Sequence, residues 1–165
     1  MIFFAQHDQM DCGPACLAMV ASYYGKNFGL QYLRDKSFIT REGVSLLGIS
    51  EASKKIGFKE IAAKLKIEEL DTDLFPCIIH WNQNHFVVLI KISKNFFTGK
   101  KIYKIADPGH GLLSLTEEKF KKSWLSHEDK GVALFMEPTE EFYNQTPPQE
   151  EKLSIKYLLK YLRPH

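Results

Sequence analysis

The chain has 165 residues, 44% apolar and 13% aromatic, which suits one domain with a packed core and is not the composition of disorder. Its 22 basic and 20 acidic residues leave a net charge of +2, so global charge makes no case for a nucleic-acid partner. No apolar run approaches the roughly 20 residues of a membrane span, no secretory signal pattern opens the chain, and three cysteines are too few for a disulfide framework and fit a reducing, cytosolic setting.

In chain order, Leu17, Val20, Ala21 and Tyr24 recur at i, i+3, i+4 and i+7 ahead of Gly25, and predict a helix over Cys12–Tyr24. Pro14 falls in its first turn, where a missing N–H is harmless. A short helix is expected over Leu30–Asp35. A third runs over Ser45–Ile56, with Ser45 as cap and Gly57 as terminator. Lys59–Leu65 alternates loosely. Cys77–Trp81, His85–Ile92, Lys101–Ala106 and Val132–Met136 are short, branched or aromatic, and bounded by turn residues, so they read as strands. His85–Ile92 is apolar on both faces and is placed centrally in the sheet. A brief helix over Thr116–Lys122 has Thr116 as cap. Helices first and strands later predict an α+β fold with a mostly antiparallel sheet.

The tail changes composition. Residues 138–152 include three prolines and four glutamates and read as an acidic linker. Leu153–Arg163 then places Ile155, Leu158, Leu159 and Leu162 on one face, with Lys156, Lys160 and Arg163 on the other. It reads either as a helix docked on the domain or as a basic juxtamembrane helix leading to a segment absent here.

The chemistry starts from Cys12, within Gln6-His7-Asp8-Gln9-Met10-Asp11-Cys12-Gly13-Pro14-Ala15-Cys16-Leu17. A thiol at a helix N-terminus meets unpaired N–H groups and a partial positive charge, and both favour the nucleophilic thiolate. A cysteine peptidase also needs an imidazole, a group to orient it, and donors for the oxyanion. Of six histidines, His85 is the best placed, at the start of the most apolar strand. His110 and His127 fall in turn-like segments. Asp107 ends the following strand ahead of Pro108, and lies beside His85 if the two strands are antiparallel neighbours. A plain turn-initiating aspartate before Pro-Gly is the competing reading. Gln6 is either a solvated loop residue or an amide that reaches back beside the Cys12 N–H.

The run Gln6–Leu17, the segment Gly43–Phe58, the stretch His80-Trp81-Asn82 with His85-Phe86-Val87-Val88-Leu89, and Asp107-Pro108 together resemble the bacteriocin-processing peptidase domain of peptidase-containing ABC transporters. The resemblance covers roughly residues 1–137. It implies a papain-like cysteine peptidase fold, with an N-terminal helical half packed on the sheet. It implies Cys12 as nucleophile, His85 as general base, Asp107 as orienting acid and Gln6 as oxyanion donor. The spacer from His85 to Asp107 departs from the pattern, with Asn95–Lys100 as an extended hairpin loop. The expected activity is removal of a leader peptide after Gly-Gly, coupled to export of a bacteriocin-like or signalling peptide. Trp81 is either a wall of the glycine slot or a core residue. No cofactor is expected in this domain; ATP and magnesium would bind an absent nucleotide-binding domain. Expected partners are the leader peptide and the transmembrane and nucleotide-binding domains of the same full-length chain, in a homodimeric transporter. The domain order is then peptidase 1–137, linker 138–152 and basic helix 153–165, a soluble fragment at the cytoplasmic face of the bacterial cell membrane.

Three other readings compete. One is a leader-docking module of the same transporter class without catalysis. Another is a papain-like amidase or acyl-transferring relative. The third is a zinc site, because Cys12, Cys16, Cys77 and His80 give C-x3-C and C-x2-H spacings. Against zinc, positions 77 and 80 of a strand face opposite ways.

Overall fold

A computed structural model describes residues 1–5, 11–37 and 45–148. Three helices come first: α1 (Cys12–Tyr23), α2 (Leu30–Lys36) and α3 (Leu46–Lys55). A six-stranded sheet follows, built from β1 (Phe58–Leu65), β2 (Cys77–Trp81), β3 (His85–Lys94), β4 (Lys101–Asp107), β5 (Gly111–Thr116) and β6 (Gly131–Pro138). Helix α4 (Glu117–Trp124) precedes β6, and α5 (Glu140–Asn144) follows it. The strand order is β1-β6-β2-β3-β4-β5, and every pairing is antiparallel. The α+β expectation holds.

Local chemistry accounts for several boundaries. The Ser45 side chain accepts from the Gly48 N–H at 3.1 Å and caps α3. Thr116 does the same for α4 through the Lys119 N–H at 3.4 Å. Gly25 and Gly57 follow α1 and α3 with φ of +94° and +100°, the left-handed backbone that glycine adopts without strain. Helix α1 departs from the amphipathic pattern read in its sequence: Cys12 through Ala21 is buried on every side. It lies between the sheet and the other helices, and its small residues allow that close approach.

The sheet separates two apolar clusters. Leu17, Met19, Phe28, Leu33, Ile49, Ile78, Phe86, Val88 and Leu134 belong to the one that packs α1–α3 and α5 on the sheet. Cys77, Ile79, Val87, Leu89, Ile105, Phe120 and Trp124 belong to the other, covered by α4. Alternate residues of β2 and β3 enter alternate clusters, as the two-residue period of a strand requires. Each large buried side chain contributes about 1.5–3 kcal/mol, so burial on both faces holds β2 and β3 rigidly.

Two elements were not foreseen. Strand β5 pairs with β4 at the edge of the sheet. Helix α5 falls inside the expected linker. Its Phe142 is fully buried, 4.6 Å from the Phe58 ring, and the Thr139 N–H donates to the Gly57 carbonyl at 3.1 Å. The packed unit therefore continues past residue 137 through residue 144. The helix expected over 153–163 lies outside the described residues. Among the described residues, no helix is long and apolar enough to cross a membrane.

Candidate active site

Cys12 is the first residue of α1. A sulfur there meets the unpaired N–H groups of the first turn and the positive end of the helix dipole. Asp11, just before it, is buried, and its Oδ1 lies 3.6 Å from Arg34 Nε. That ion pair balances a second negative charge next to the thiol. Asp11 Oδ1 has no hydrogen-bond partner among the described residues.

His85 opens β3 and pairs across the ladder with Trp81. Asp107 closes β4, and Val88 pairs with Ala106. The antiparallel register thus brings the end of β4 to the start of β3. His85 Nε2 and Asp107 Oδ1 are 2.7 Å apart. The Cys12 side chain lies near enough to the His85 ring to raise it. With Nε2 held by the carboxylate, Nδ1 is the nitrogen left for sulfur. The ring therefore bridges helix α1 and strand β4.

Asp107 has further partners. Gly109 N–H donates to Oδ1 at 2.9 Å, and His110 Nδ1 lies 3.0 Å from Oδ2. One carboxylate thus ties the Pro108-Gly109 turn and meets the His85 ring. His110, a turn residue in the sequence, is a second imidazole on the same carboxylate. Its spacing of three residues from Asp107 was the available signal.

Electrostatics follow from these contacts. Burial works against a charged His85 ring, but hydrogen bonds and negative charge from Asp107 and Cys12 outweigh it, and the ring is pushed up to about 9. Burial would raise the Asp107 carboxyl. Donors from His85, Gly109 and His110 instead hold it below the usual carboxylate range.

The other cysteines are chemically different. Cys16 is fully buried and donates to the Phe86 carbonyl at 3.3 Å. Burial first, then the charges of Cys12 and Asp107, push its thiol well up. Burial alone pushes Cys77 up. Both therefore stay protonated and unreactive at neutral pH. The zinc reading fails on placement, since Cys16 packs in the cluster under α1 and Cys77 in the cluster under α4. His80 lies 5.2 Å from the Phe86 ring. Among the described residues no group of three or more His, Cys, Asp or Glu side chains is placed to hold a metal. Trp81 is 4% exposed, with its ring 5.5 Å from Phe120 in the second core cluster. His127 is exposed in a short helical turn. Gln6 and His7 lie outside the described residues.

A thiol, an imidazole and a carboxylate in sequence form an arrangement suited to nucleophilic attack on an acyl group with proton transfer. The comparisons agree with that chemistry. The profile of the Peptidase C39 family matches residues 2–141. The colicin V secretion/processing ATP-binding protein CvaB of Escherichia coli is 33% identical over 154 residues, covering 93% of this chain and 20% of the relative. The transport/processing ATP-binding protein ComA of Streptococcus pneumoniae is 34% identical over 155 residues, covering 89% and 20%. The chain thus spans about a fifth of the length of these relatives. A double glycine motif protease from an AMS/PCAT transporter, solved in complex with the leader peptide, superposes with a TM-score of 0.72 at 34% identity, covering 84% of this chain and 91% of that one. The peptidase domain of Streptococcus ComA superposes at 0.69 with 32% identity, covering 82% and 97%. With its cysteine, histidine and aspartate drawn together at one end of the sheet, the chain belongs to the Peptidase C39 family and is a cysteine peptidase domain.

Proposed function

We propose that this domain removes leader peptides after a Gly-Gly motif, with Cys12 as nucleophile, His85 as proton carrier, Asp107 as orienting acid and Gln6 as oxyanion donor. The observation that carries the reading is the His85 ring, held by Asp107 at 2.7 Å and raised by the neighbouring Cys12. The Cys12 thiolate attacks the carbonyl of the second glycine. The oxyanion that forms is held by the Cys12 N–H and the Gln6 amide, and loss of one such donor typically costs about 100- to 1,000-fold in rate. As the tetrahedral intermediate collapses, the carbon–nitrogen bond breaks, and His85 gives its proton to the departing amine. Water then attacks the thioester, His85 accepts its proton, and the leader leaves with a free carboxylate.

Two findings support the Gly-Gly class. The curated relatives are named as secretion, transport and processing proteins, and a similar solved structure is named a double glycine motif protease bound to a leader peptide. On the same grounds we propose that the domain works at the cytoplasmic face of a bacterial cell membrane. It would be joined to transmembrane and nucleotide-binding domains in a homodimeric transporter, and would itself need no cofactor.

Incubation of the chain with a leader peptide ending in Gly-Gly plus a short extension tests this, with the cut position read by mass spectrometry. Cleavage after the second glycine is expected, and Cys12→Ala abolishes it while retaining leader binding. An uncut peptide, or undiminished turnover by Cys12→Ala, overturns the reading.

A further inference from the structure

The β3–β4 hairpin ends in Asn95-Phe96-Phe97-Thr98-Gly99-Lys100. Phe96 is 94% and Phe97 92% exposed. Two adjacent, fully solvated aromatic rings are costly to leave in water, because each offers large apolar area. The turn holding them is well ordered by hydrogen bonds. Asn95 Oδ1 accepts from the Phe97 N–H at 2.8 Å and the Thr98 N–H at 3.2 Å. The Gly99 N–H donates to the Asn95 carbonyl at 2.9 Å, and the φ of +69° at Gly99 closes the loop. The two rings rest edge to face, 5.4 Å apart.

Charge surrounds this tip on one sign only. Lys91, Lys94, Lys100, Lys101 and Lys104 lie on its two strands and turn, and no acidic residue occurs from Leu74 to Ala106. The ladder sets Lys91 opposite Lys104 and Lys94 opposite Lys101. Like charges directly opposed weaken a hairpin, and none of the five makes an ion pair among the described residues. Glu117, beyond the end of β5, is engaged by the Tyr103 hydroxyl at 3.0 Å. An anionic surface would relieve this repulsion, and an apolar layer just beneath it would take the rings.

We propose that the β3–β4 hairpin docks this domain on an anionic lipid bilayer, with Phe96 and Phe97 in the interfacial layer and the lysines among the headgroups. A bilayer fits better than an acidic protein. The two exposed rings stand at the end of the hairpin and lysines lie on both of its strands, so it matches a planar anionic surface rather than a cup. The other end of the hairpin carries His85 and Asp107. The ten residues of β3, at a rise of about 3.3 Å each, hold the nucleophilic centre roughly 30 Å away. Docking would therefore leave the nucleophilic centre clear of the bilayer, and the inference stands apart from the Gly-Gly reading.

The test is co-sedimentation of the full chain with vesicles of phosphatidylcholine alone or with about a third phosphatidylglycerol, beside Phe96→Trp emission quenched by brominated lipid. We expect binding to the anionic vesicles, weakened by added salt, and quenching of the Phe96→Trp protein beyond that of the parent. Phe96→Ser with Phe97→Ser, and Lys100→Gln with Lys101→Gln, should each lower partitioning by about tenfold or more, with an unchanged circular dichroism spectrum and unchanged cleavage of a soluble peptide. Three results overturn the proposal: no binding to anionic vesicles; equal binding by the variants, which would assign it to another segment such as 153–163; or capture by an acidic polypeptide with no lipid binding, which would make the tip a protein-docking element.

Discussion

Asp107 joins two tasks in one carboxylate, and its substitution separates them. Its Oδ1 meets both the Gly109 N–H and His85 Nε2. Asp107→Asn removes the negative charge that helps push His85 up to about 9. We expect kcat/KM for peptide cleavage to fall by on the order of 100-fold. The basic limb of the pH–rate profile should move to lower pH, because the imidazolium proton is then lost sooner. An unchanged basic limb would show that Asp107 serves only its turn. The two buried cysteines give a contrast in stability. Cys16→Ser keeps an acceptor, the Phe86 carbonyl. Cys77→Ser buries a hydroxyl where the thiol has no hydrogen-bond partner among the described residues, at a cost of about 1–3 kcal/mol. Urea midpoints should therefore fall further for Cys77→Ser, while both variants keep activity within about tenfold of the parent. At this scale Cys12 was legible because a thiol ahead of Gly-Pro and a helical stripe is a local pattern. Asp107 was half legible, since the same residues encode the turn. His110 was not legible, because its contact depends on how the turn bends.

Helix α3, its glycine terminator and α5 form a joint that local rules describe only in part. Gly57 was readable as a stop signal. That α5 closes over it was not, because a short segment rich in glutamate and bounded by prolines has no apolar period to betray one buried ring. A Cβ at Gly57 would collide with the Phe142 backbone nitrogen, and φ there is +100°. Gly57→Ala should therefore destabilise the domain by more than about 1 kcal/mol, as an earlier urea midpoint, with cleavage by the folded fraction unchanged. A midpoint equal to that of the parent would mean that α5 does not pack there in solution. Strand β5 escaped notice for a related reason. Its residues alternate between half-buried and exposed at the sheet edge, and Leu112-Leu113 breaks the alternation in the sequence.

For the whole molecule, the α+β class followed from element order, but the strand order did not. Strand β6 inserts between β1 and β2, a pairing of distant segments that no local pattern encodes. The same long-range closure brings Cys12 of the first helix to Asp107 of the fourth strand. It makes stability depend on pH through the site. The His85 ring is raised above its usual value of about 6.5. Its contribution is present in full below that pH and is lost as pH rises toward about 9. The Asp107 carboxyl is lowered, so its contribution is present above the usual carboxylate range and lost on acidification. Thermal midpoints should accordingly peak in mildly acidic solution and decline toward pH 9, and His85→Ala should flatten the alkaline decline.

The pairing of Cys12 with His85 is reached most directly by thiol alkylation. The folded chain is treated with iodoacetamide at neutral pH, and each cysteine is followed by tandem mass spectrometry. Modification of Cys12 well ahead of Cys16 and Cys77, slowed sharply in His85→Ala, is the predicted result. First modification at Cys16 or Cys77, or a Cys12 rate indifferent to loss of His85, would contradict it.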